Sequence, residues 1–330
     1  MCGKAGSAKP FLAALRKARI VSGGVASVSL SASLKDAHTA EIRARNLLDR
    51  PISGCLNGKA VTLAALAETP CAVPLEEAVS PDSIRNVNLP LRFESTETAD
   101  IQSDFKFDAT VANKTAYSGE NPDEVDWSKH PAIPLKRWGE TPMGYGGEAQ
   151  LAWNDKGLFI RVAVHDAHFV HDTFAAEALR NANDCLQIGI DGYCDARRIE
   201  LDSPGQDDYE YAVFPTSDGR SAILWANRVA DRQITANDKE HGNCRIPDVK
   251  PRFAIAGNGC VYQVFLPSPR IYPSVVSDGA VVALGLTVLN ADDSAATGDA
   301  RVKGGLSFTG ENSVGRPKRW IEVFCRKDFP

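Results

Sequence analysis

Residues 147–191 carry the clearest alternation of apolar and polar positions in the chain. On either side of an irregular stretch, two runs place apolar side chains at every second position. These positions are Leu158, Ile160, Val162 and Val164 in the first run, and Leu186, Ile188 and Ile190 in the second. Because successive side chains of a strand point to opposite faces, each run buries one face. The pattern predicts the centre of an antiparallel β-sheet.

The chain after residue 191 continues in the same way. It predicts two hairpins, a strand covered on both faces and a final strand, at residues 209–226, 252–266, 281–289 and 320–324. A turn or two of helix is expected only at residues 173–179. The second part of the chain is therefore predicted to be a large β-sandwich over residues 123–330.

Residues 20–112 alternate in shorter runs separated by frequent turn formers, such as Asn57-Gly58. Short strands with many turns predict a smaller sandwich, and the pattern is similar to immunoglobulin-like accessory domains. Polar residues at 113–122 predict a linker, and residues 1–19 are expected to be an N-terminal tail. The predicted fold class is all-β, with two tandem β-sandwich domains of which the second is the larger.

Composition narrows the classes of function. The 330 residues carry a formal net charge of −5, so no basic surface for nucleic acid is expected. No apolar run reaches the ~20 residues of a membrane-spanning helix, and no signal peptide is recognisable at the start. The eight cysteines form no C-x-x-C pair, which argues against a zinc site of the usual spacing and favours free thiols in the cores.

Six short motifs in the second domain follow the order of a known family. They begin at Val125, Leu151, Val164, Asn183, Tyr262 and Asn290. In this order they resemble carbohydrate-binding module family 9, within the DOMON-like β-sandwich superfamily, over about residues 115–328. The resemblance implies a non-catalytic sandwich that binds a polysaccharide or oligosaccharide. It also implies a secreted or periplasmic polysaccharide-handling protein, with other domains in a longer polypeptide.

The sugar site of that family is only partly present. Where members carry two sugar-clamping tryptophans, this chain has Asn181 and Val314, and Gln187 replaces an expected glutamate. A different ligand, a relocated site or no sugar binding all remain open. The candidate ligand-binding residues are Trp225, Trp138 and Tyr145 as stacking platforms, with Arg161, Gln187 and Asn181 as hydrogen-bonding groups. The alternative is loop packing for the aromatic residues and a cross-strand polar pair for Arg161 and Gln187.

Metal binding has two candidate sets. His165, His168 and His171 are spaced for neither a strand face nor a helical zinc pair. Calcium is favoured over zinc, since family members can carry it and carboxylates supply hard oxygen ligands. Its candidate ligands are Asp184, Asp191, Asp292 and Asp293. These aspartates are also typical caps of turns.

No catalytic motif is recognisable, and the chain is predicted not to be an enzyme unless a catalytic domain lies outside it. Two alternatives to glycan binding remain. One is a haem-binding electron-transfer domain, in which Met143 pairs with His165 or His168. The other is a structural or interaction module without a small ligand.

Overall fold

The computed structural model describes residues 27–166, 169, 183–196, 203–216, 221–230, 232–233, 244–291 and 302–327. Over these residues the chain consists of β-strands joined by turns and short 3-10 segments. It divides into two compact units. The first comprises the described chain up to Ser33, Thr39–Leu75 and Asn88–Lys106, and the second comprises Leu34–His38, Glu76–Val87 and the chain from Phe107 onward. The predicted all-β fold class is confirmed.

The first unit contains two sets of paired strands. Its strands, some of which end in the second unit, are β1 (Val28–Asp36), β2 (Thr39–Asn46), β3 (Ile52–Leu56), β4 (Lys59–Leu63), β5 (Glu68–Pro74) and β6 (Arg85–Glu94). β2 pairs with both β1 and β5, while β3 pairs with both β4 and β6. Asn57 and Gly58 join β3 to β4 with φ of 46° and 82°, as the predicted tight turn requires. The immunoglobulin-like assignment and the domain limits stay predictions.

The second unit holds the remaining strands. They are β7 (Ile101–Lys114, which begins in the first unit), β8 (Ile133–Pro134), β9 (Lys136–Gly139), β10 (Gly146–Asn154), β11 (Gly157–His165), β12 (Cys185–Asp191), β13 (Asp208–Pro215), β14 (Ala222–Val229), β15 (Arg232–Gln233), β16 (Arg252–Ala256), β17 (Gly259–Pro267), β18 (Val281–Ala291), β19 (Val302–Ser307) and β20 (Ile321–Arg326). Both hairpins predicted after residue 191 are present, as β13–β14 and β16–β17.

These strands form two layers. The first layer runs β8-β10-β11-β17-β16, with antiparallel neighbours throughout. The second runs β14-β13-β12-β18, and β18 pairs along its other edge with β20 and then β19. β7 lies parallel to β20 of the second layer and to the end of β10 of the first. This arrangement is a β-sandwich.

The alternating apolar residues meet between the two layers. Those of β11 and β12, Leu158, Ile160, Val162, Val164, Leu186, Ile188 and Ile190, belong to one core cluster and are at most 3% exposed. The predicted inward faces are therefore confirmed. The outward face of β12 differs from the expected pattern, because Cys185, Gln187 and Gly189 are also buried. A further layer of side chains covers this face.

Two segments provide the outer cover. Beside the first layer, Gln150 Nε2 donates to the carbonyl oxygens of Trp127 and His130, and this holds residues 117–130 against the sheet. Beside the second layer, Trp320 is 1% exposed and its indole Nε1 donates to Ser313 O at 2.9 Å. Trp320 is thus a structural residue, as the sequence predicts.

Most cysteines of the described part lie in the interior. The seven cysteines within the described part form no disulfide bond and five of them are buried, so the expectation of core thiols is confirmed. Within the described residues no helix is long and apolar enough to cross a lipid bilayer.

Candidate functional site

Trp225 and Gln187 lie on the same outer face of the second layer. Trp225 is opposite Ala212, Ala212 is opposite Gln187, and Gln187 is opposite Thr287. The structure thus brings two predicted site residues into one row. Both are covered, however: Trp225 is 1% and Gln187 7% exposed. The sequence predicts a platform open to solvent at Trp225. The side chain is covered instead, because a β-bridge to Arg245 brings residues 244–246 alongside its strand.

Trp320 closes the neighbouring part of this face. A Cβ built on Gly189 would lie 2.2 Å from Trp320 Cζ2, and one on Gly285 would lie 2.4 Å from Trp320 Cδ1. The indole therefore rests directly on the backbone of β12 and β18. Val314, at the position of a family clamp tryptophan, is half-buried in the segment that carries this ring. A sugar has no open sheet surface here.

The other two aromatic candidates lie at the far edge of the second layer and in the loop after it. Trp138 is half-buried on β9 opposite Gly305, while Tyr145 is only 2% exposed and packs in the main core. Neither presents an open ring face, because each side chain fills space beside the sheet. Met143, the proposed haem ligand, has its side chain fully exposed, and so does not stand in the apolar crevice that a haem needs.

Arg161 lies on the outer face of the first layer, in a different sheet from Gln187. Its guanidinium Nη1 donates to Gln150 Oε1 at 2.5 Å, and Gln150 in turn holds residues 127–130. Arg161 therefore forms a cross-strand polar pair, but its partner is Gln150 and not the Gln187 that the sequence offers. Arg161 and Gln187 do not share a site, because they belong to the opposite outer faces of the sandwich.

The predicted calcium ligands also separate. Asp184 precedes β12, and its Oδ1 accepts from the backbone N–H of Ala291 at 2.8 Å. Asp191 ends β12, about 20 Å away at the usual rise of a strand. One ion cannot bind both, which corrects the predicted set. Asn181, Asp292 and Asp293 lie outside the described residues, as do His168 and His171.

Asp191 instead meets other carboxylates at its end of the sandwich. One oxygen each from Asp191, Asp195 and Asp207 lies within 4.8 Å of the others. Asp208 faces Asp191 across the β12–β13 ladder. Burial, reinforced by the neighbouring carboxylates, raises the pKa of Asp191 to about 6 and that of Asp208 to about 7. Four carboxyl groups are therefore crowded at this end of the sandwich, and two of them keep their protons to a higher pH than usual.

Two tyrosines flank this carboxylate cluster. Tyr193 is 66% and Tyr272 68% exposed, and they are the exposed aromatic side chains of the described chain. Their loops touch, because a Cβ on Gly192 would lie 2.5 Å from Pro273 Cδ. We call Tyr193, Tyr272, Asp191, Asp195 and Asp207 the loop-end surface.

Hydrogen bonds fix the loops of this surface. Ser274 Oγ donates to the carbonyl oxygens of Asp191 and Gly192, at 3.3 and 3.1 Å. Tyr209 stacks on Tyr211 with ring centroids 5.8 Å apart, and its hydroxyl donates to Tyr272 O at 2.6 Å. The rings of Tyr193 and Tyr272 therefore project from anchored backbone rather than from free loop tips.

A separate cleft of about 300 Å³ lies beside the first layer. Phe265, Pro122 and Pro267 provide its apolar wall, and Asp248 and Arg252 are among its charged residues. Both charges are already engaged, since Asp248 pairs with Arg270 at 2.6 Å and Arg252 with Asp123 at 3.0 Å. Unlike the loop-end surface, the lining of this cleft has no exposed aromatic ring, since Phe265 is only 5% exposed.

The known proteins that resemble this chain are solved structures. No protein-family model and no curated protein sequence matches the chain. Solved structures do. The chain is similar to carbohydrate-binding modules of family 9. Two such modules from Caldicellulosiruptor kristjanssonii, in complex with cellotriose and with glucose, are 14% and 13% identical and both have a TM-score of 0.49.

The matches cover nearly the full length of the known structures and about two thirds of this chain. The two modules match 66% and 67% of this chain and 94% and 97% of their own length. A candidate carbohydrate-binding protein from Bacteroides uniformis matches 66% of this chain and 99% of its own, at 14% identity and a TM-score of 0.42. These matches are to the same family that the sequence motifs resemble, at low identity. The ligand has to be argued from the chain's own side chains.

The sequence reasoning missed Tyr193, Tyr272, Asp195 and Asp207. The sequence does contain a signal for Tyr193 and Asp195. The run Asp191-Gly192-Tyr193-Cys194-Asp195 places an aromatic residue and two carboxylates at the end of a predicted strand. Tyr272, in contrast, comes from a loop some 80 residues away, and only the folded chain brings it close.

Proposed function

We propose that the second unit binds carbohydrate, without catalysis, at the loop-end surface. The observation that carries the proposal is the pair of exposed rings, Tyr193 and Tyr272, on touching loops beside a carboxylate cluster. A pyranose ring has an apolar face that stacks on an aromatic side chain, and carboxylates accept hydrogen bonds from its hydroxyls. The ordered motifs that resemble family 9 support the same ligand class.

The protein then belongs to polysaccharide handling outside the cytoplasm, as part of a secreted or periplasmic polypeptide. Its role there is to hold a saccharide near other domains rather than to cleave it. Incubation with a saccharide that it binds should therefore release no reducing ends. Release of such ends by the purified chain would contradict the non-catalytic role.

The test is binding of the full chain to a panel of saccharides that starts with glucose and cello-oligosaccharides and extends to soluble xylan, mannan and β-glucan. Isothermal titration calorimetry should show saturable binding to at least one of them. Tyr193→Ala and Tyr272→Ala should each weaken binding by about 2- to 12-fold, since a stacked ring contributes about 0.5–1.5 kcal/mol. Tyr193→Phe keeps the ring and should retain most of the affinity.

Ile255→Ala is the matched control. Ile255 is 53% exposed on β16, so its removal changes exposed apolar area away from the loop-end surface. Its affinity should equal that of the unmodified chain. Binding that survives in the Tyr193→Ala/Tyr272→Ala double variant would reject this surface as the site, and absence of binding across the panel would reject carbohydrate as the ligand.

A further inference from the structure

The cleft beside the first layer is bounded by two segments of the second unit. One is residues 120–122, in the segment that covers the first layer, and the other is residues 248–252, which lead into β16. The end of β17 completes the lining with Phe265 and Pro267. The volume of about 300 Å³ lies at the lower end of the range for small-molecule sites. The cleft can therefore hold a small molecule.

The apolar part of the lining is fixed by the fold. Phe265 belongs to a small core on the outer face of the first layer, where its ring centroid lies 4.5 Å from that of Phe159. Val249 is 6% exposed, and Pro122 is also buried. Because these side chains are already ordered, a hydrocarbon body that packs on them leaves water at little cost in conformational entropy.

The charges of the lining do not balance. Three ion pairs contribute to it, each between one acid and one base: Glu120–Lys156 at 3.9 Å, Asp123–Arg252 at 3.0 Å and Asp248–Arg270 at 2.6 Å. Lys250 also lines the cleft and has no acidic partner among the described residues. The described lining therefore carries one positive charge in excess.

A second donor lies in the other bounding segment. Asn121 is half-buried at the cleft, and its side-chain oxygen Oδ1 accepts from Asp123 N at 3.3 Å. This bond leaves the amide nitrogen Nδ2 as a donor that meets no acceptor among the described residues. Asn121 Nδ2 and Lys250 Nζ thus provide one unused donor from each bounding segment.

We propose that this cleft binds a small monocarboxylate with a hydrocarbon body, and that Lys250 and Asn121 hold the carboxylate. One excess cation matches one negative charge, and two donors complement a group that only accepts. A neutral sugar fits less well, because the lining has no exposed aromatic ring on which a pyranose could stack. The cleft shares no residue with the loop-end surface, so the proposal does not depend on sugar binding.

The test titrates the full chain with three probes in a calorimeter. The probe 3-phenylpropanoate has both a carboxylate and a hydrocarbon body, 3-phenylpropanol lacks the charge, and acetate lacks the body. Saturable binding of 3-phenylpropanoate is expected, with binding of the other two at least about fivefold weaker, since each loses one half of the recognition. Added salt should weaken the binding of 3-phenylpropanoate, because Lys250 is exposed.

Two substitutions at exposed positions should shift the affinity in opposite directions. Lys250→Gln should weaken 3-phenylpropanoate binding by about 2- to 5-fold, as the loss of an exposed ion pair does. Glu120→Gln, at a side chain that is 59% exposed, removes a repelling charge and should strengthen it. Lys303→Gln, at an exposed lysine on β19, is the matched control and should bind like the unmodified chain.

Three results would overturn the proposal. The first is the absence of saturable binding of 3-phenylpropanoate by the unmodified chain. The second is equal affinity for 3-phenylpropanol, which would show that the carboxylate is not recognised. The third is unchanged affinity in both Lys250→Gln and Glu120→Gln, which would place the bound molecule outside this cleft.

Discussion

Gly189 tests why the outer face of the second layer is closed to a ligand. In the structure the indole of Trp320 lies on the backbone of β12 at this residue, and a Cβ there would stand 2.2, 2.5 and 2.8 Å from three of its ring carbons. Real Cβ atoms do not approach other atoms so closely. In Gly189→Ala the ring, which is 1% exposed and hydrogen-bonded to Ser313 O, therefore has to move.

The magnitude follows from overpacking. Forcing a methyl group into a filled interior costs about 1–3 kcal/mol. Gly146→Ala is the matched control, because Gly146 also lies in a strand but has no atom within 4 Å of an added Cβ. Both substitutions restrict the unfolded chain similarly, by about 0.4–1 kcal/mol. The difference between the two variants thus isolates the contact with Trp320, and it should be about 1–3 kcal/mol.

Urea unfolding followed by circular dichroism measures that difference. Gly189→Ala should unfold at lower urea than Gly146→Ala and lose about 4–8 °C of Tm for a 2 kcal/mol penalty. In a Trp320→Leu background the Gly189→Ala penalty should shrink, since the smaller side chain leaves room. Equal stability of the two alanine variants, or a penalty that Trp320→Leu does not change, would refute the packing of Trp320 on β12.

Two further predictions concern titratable groups. Burial lowers the pKa of His130, so its folded form resists protonation, and stability should fall as pH drops below about 6.5. Between pH 7 and pH 5, the free energy of unfolding should therefore decrease less in His130→Gln than in the unmodified chain. Identical pH profiles of the two proteins would contradict this. Burial also raises the pKa of Cys325 to about 12, so its thiol should resist a disulfide reagent until urea unfolds the chain. The half-buried Cys55 and Cys194 should react with the reagent in the folded state. Replacing either with serine should then remove part of the signal of the folded protein.

The sheet framework could be predicted because it depends on local alternation. The apolar positions of β11 and β12 fall at every second residue, and only one register buries them all. The turn at Asn57-Gly58 was predictable for a similar reason, since few residues adopt positive φ. Such signals lie within a few residues of the feature that they specify.

The site could not be predicted, because burial of an outward face depends on distant segments. Trp225 stands on the mixed face of its strand, but a bridge to Arg245 brings a distant segment alongside it. Trp320 covers Gly189 across more than 100 residues of sequence. Likewise, Tyr193 and Tyr272 become neighbours only when β12 and the loop after β17 meet. Aromatic residue type indicated the kind of site, while tertiary contacts decided its position.

The location of a bound saccharide tests the loop-end surface most directly. Hydrogen–deuterium exchange, measured by mass spectrometry with and without a saccharide that binds, reports the backbone segments that become protected. We expect added protection in peptides that cover residues 192–196 and 271–276, and none in β9 or β14. Protection confined to residues 136–146 or 222–229, with the two tyrosine loops unchanged, would contradict the account.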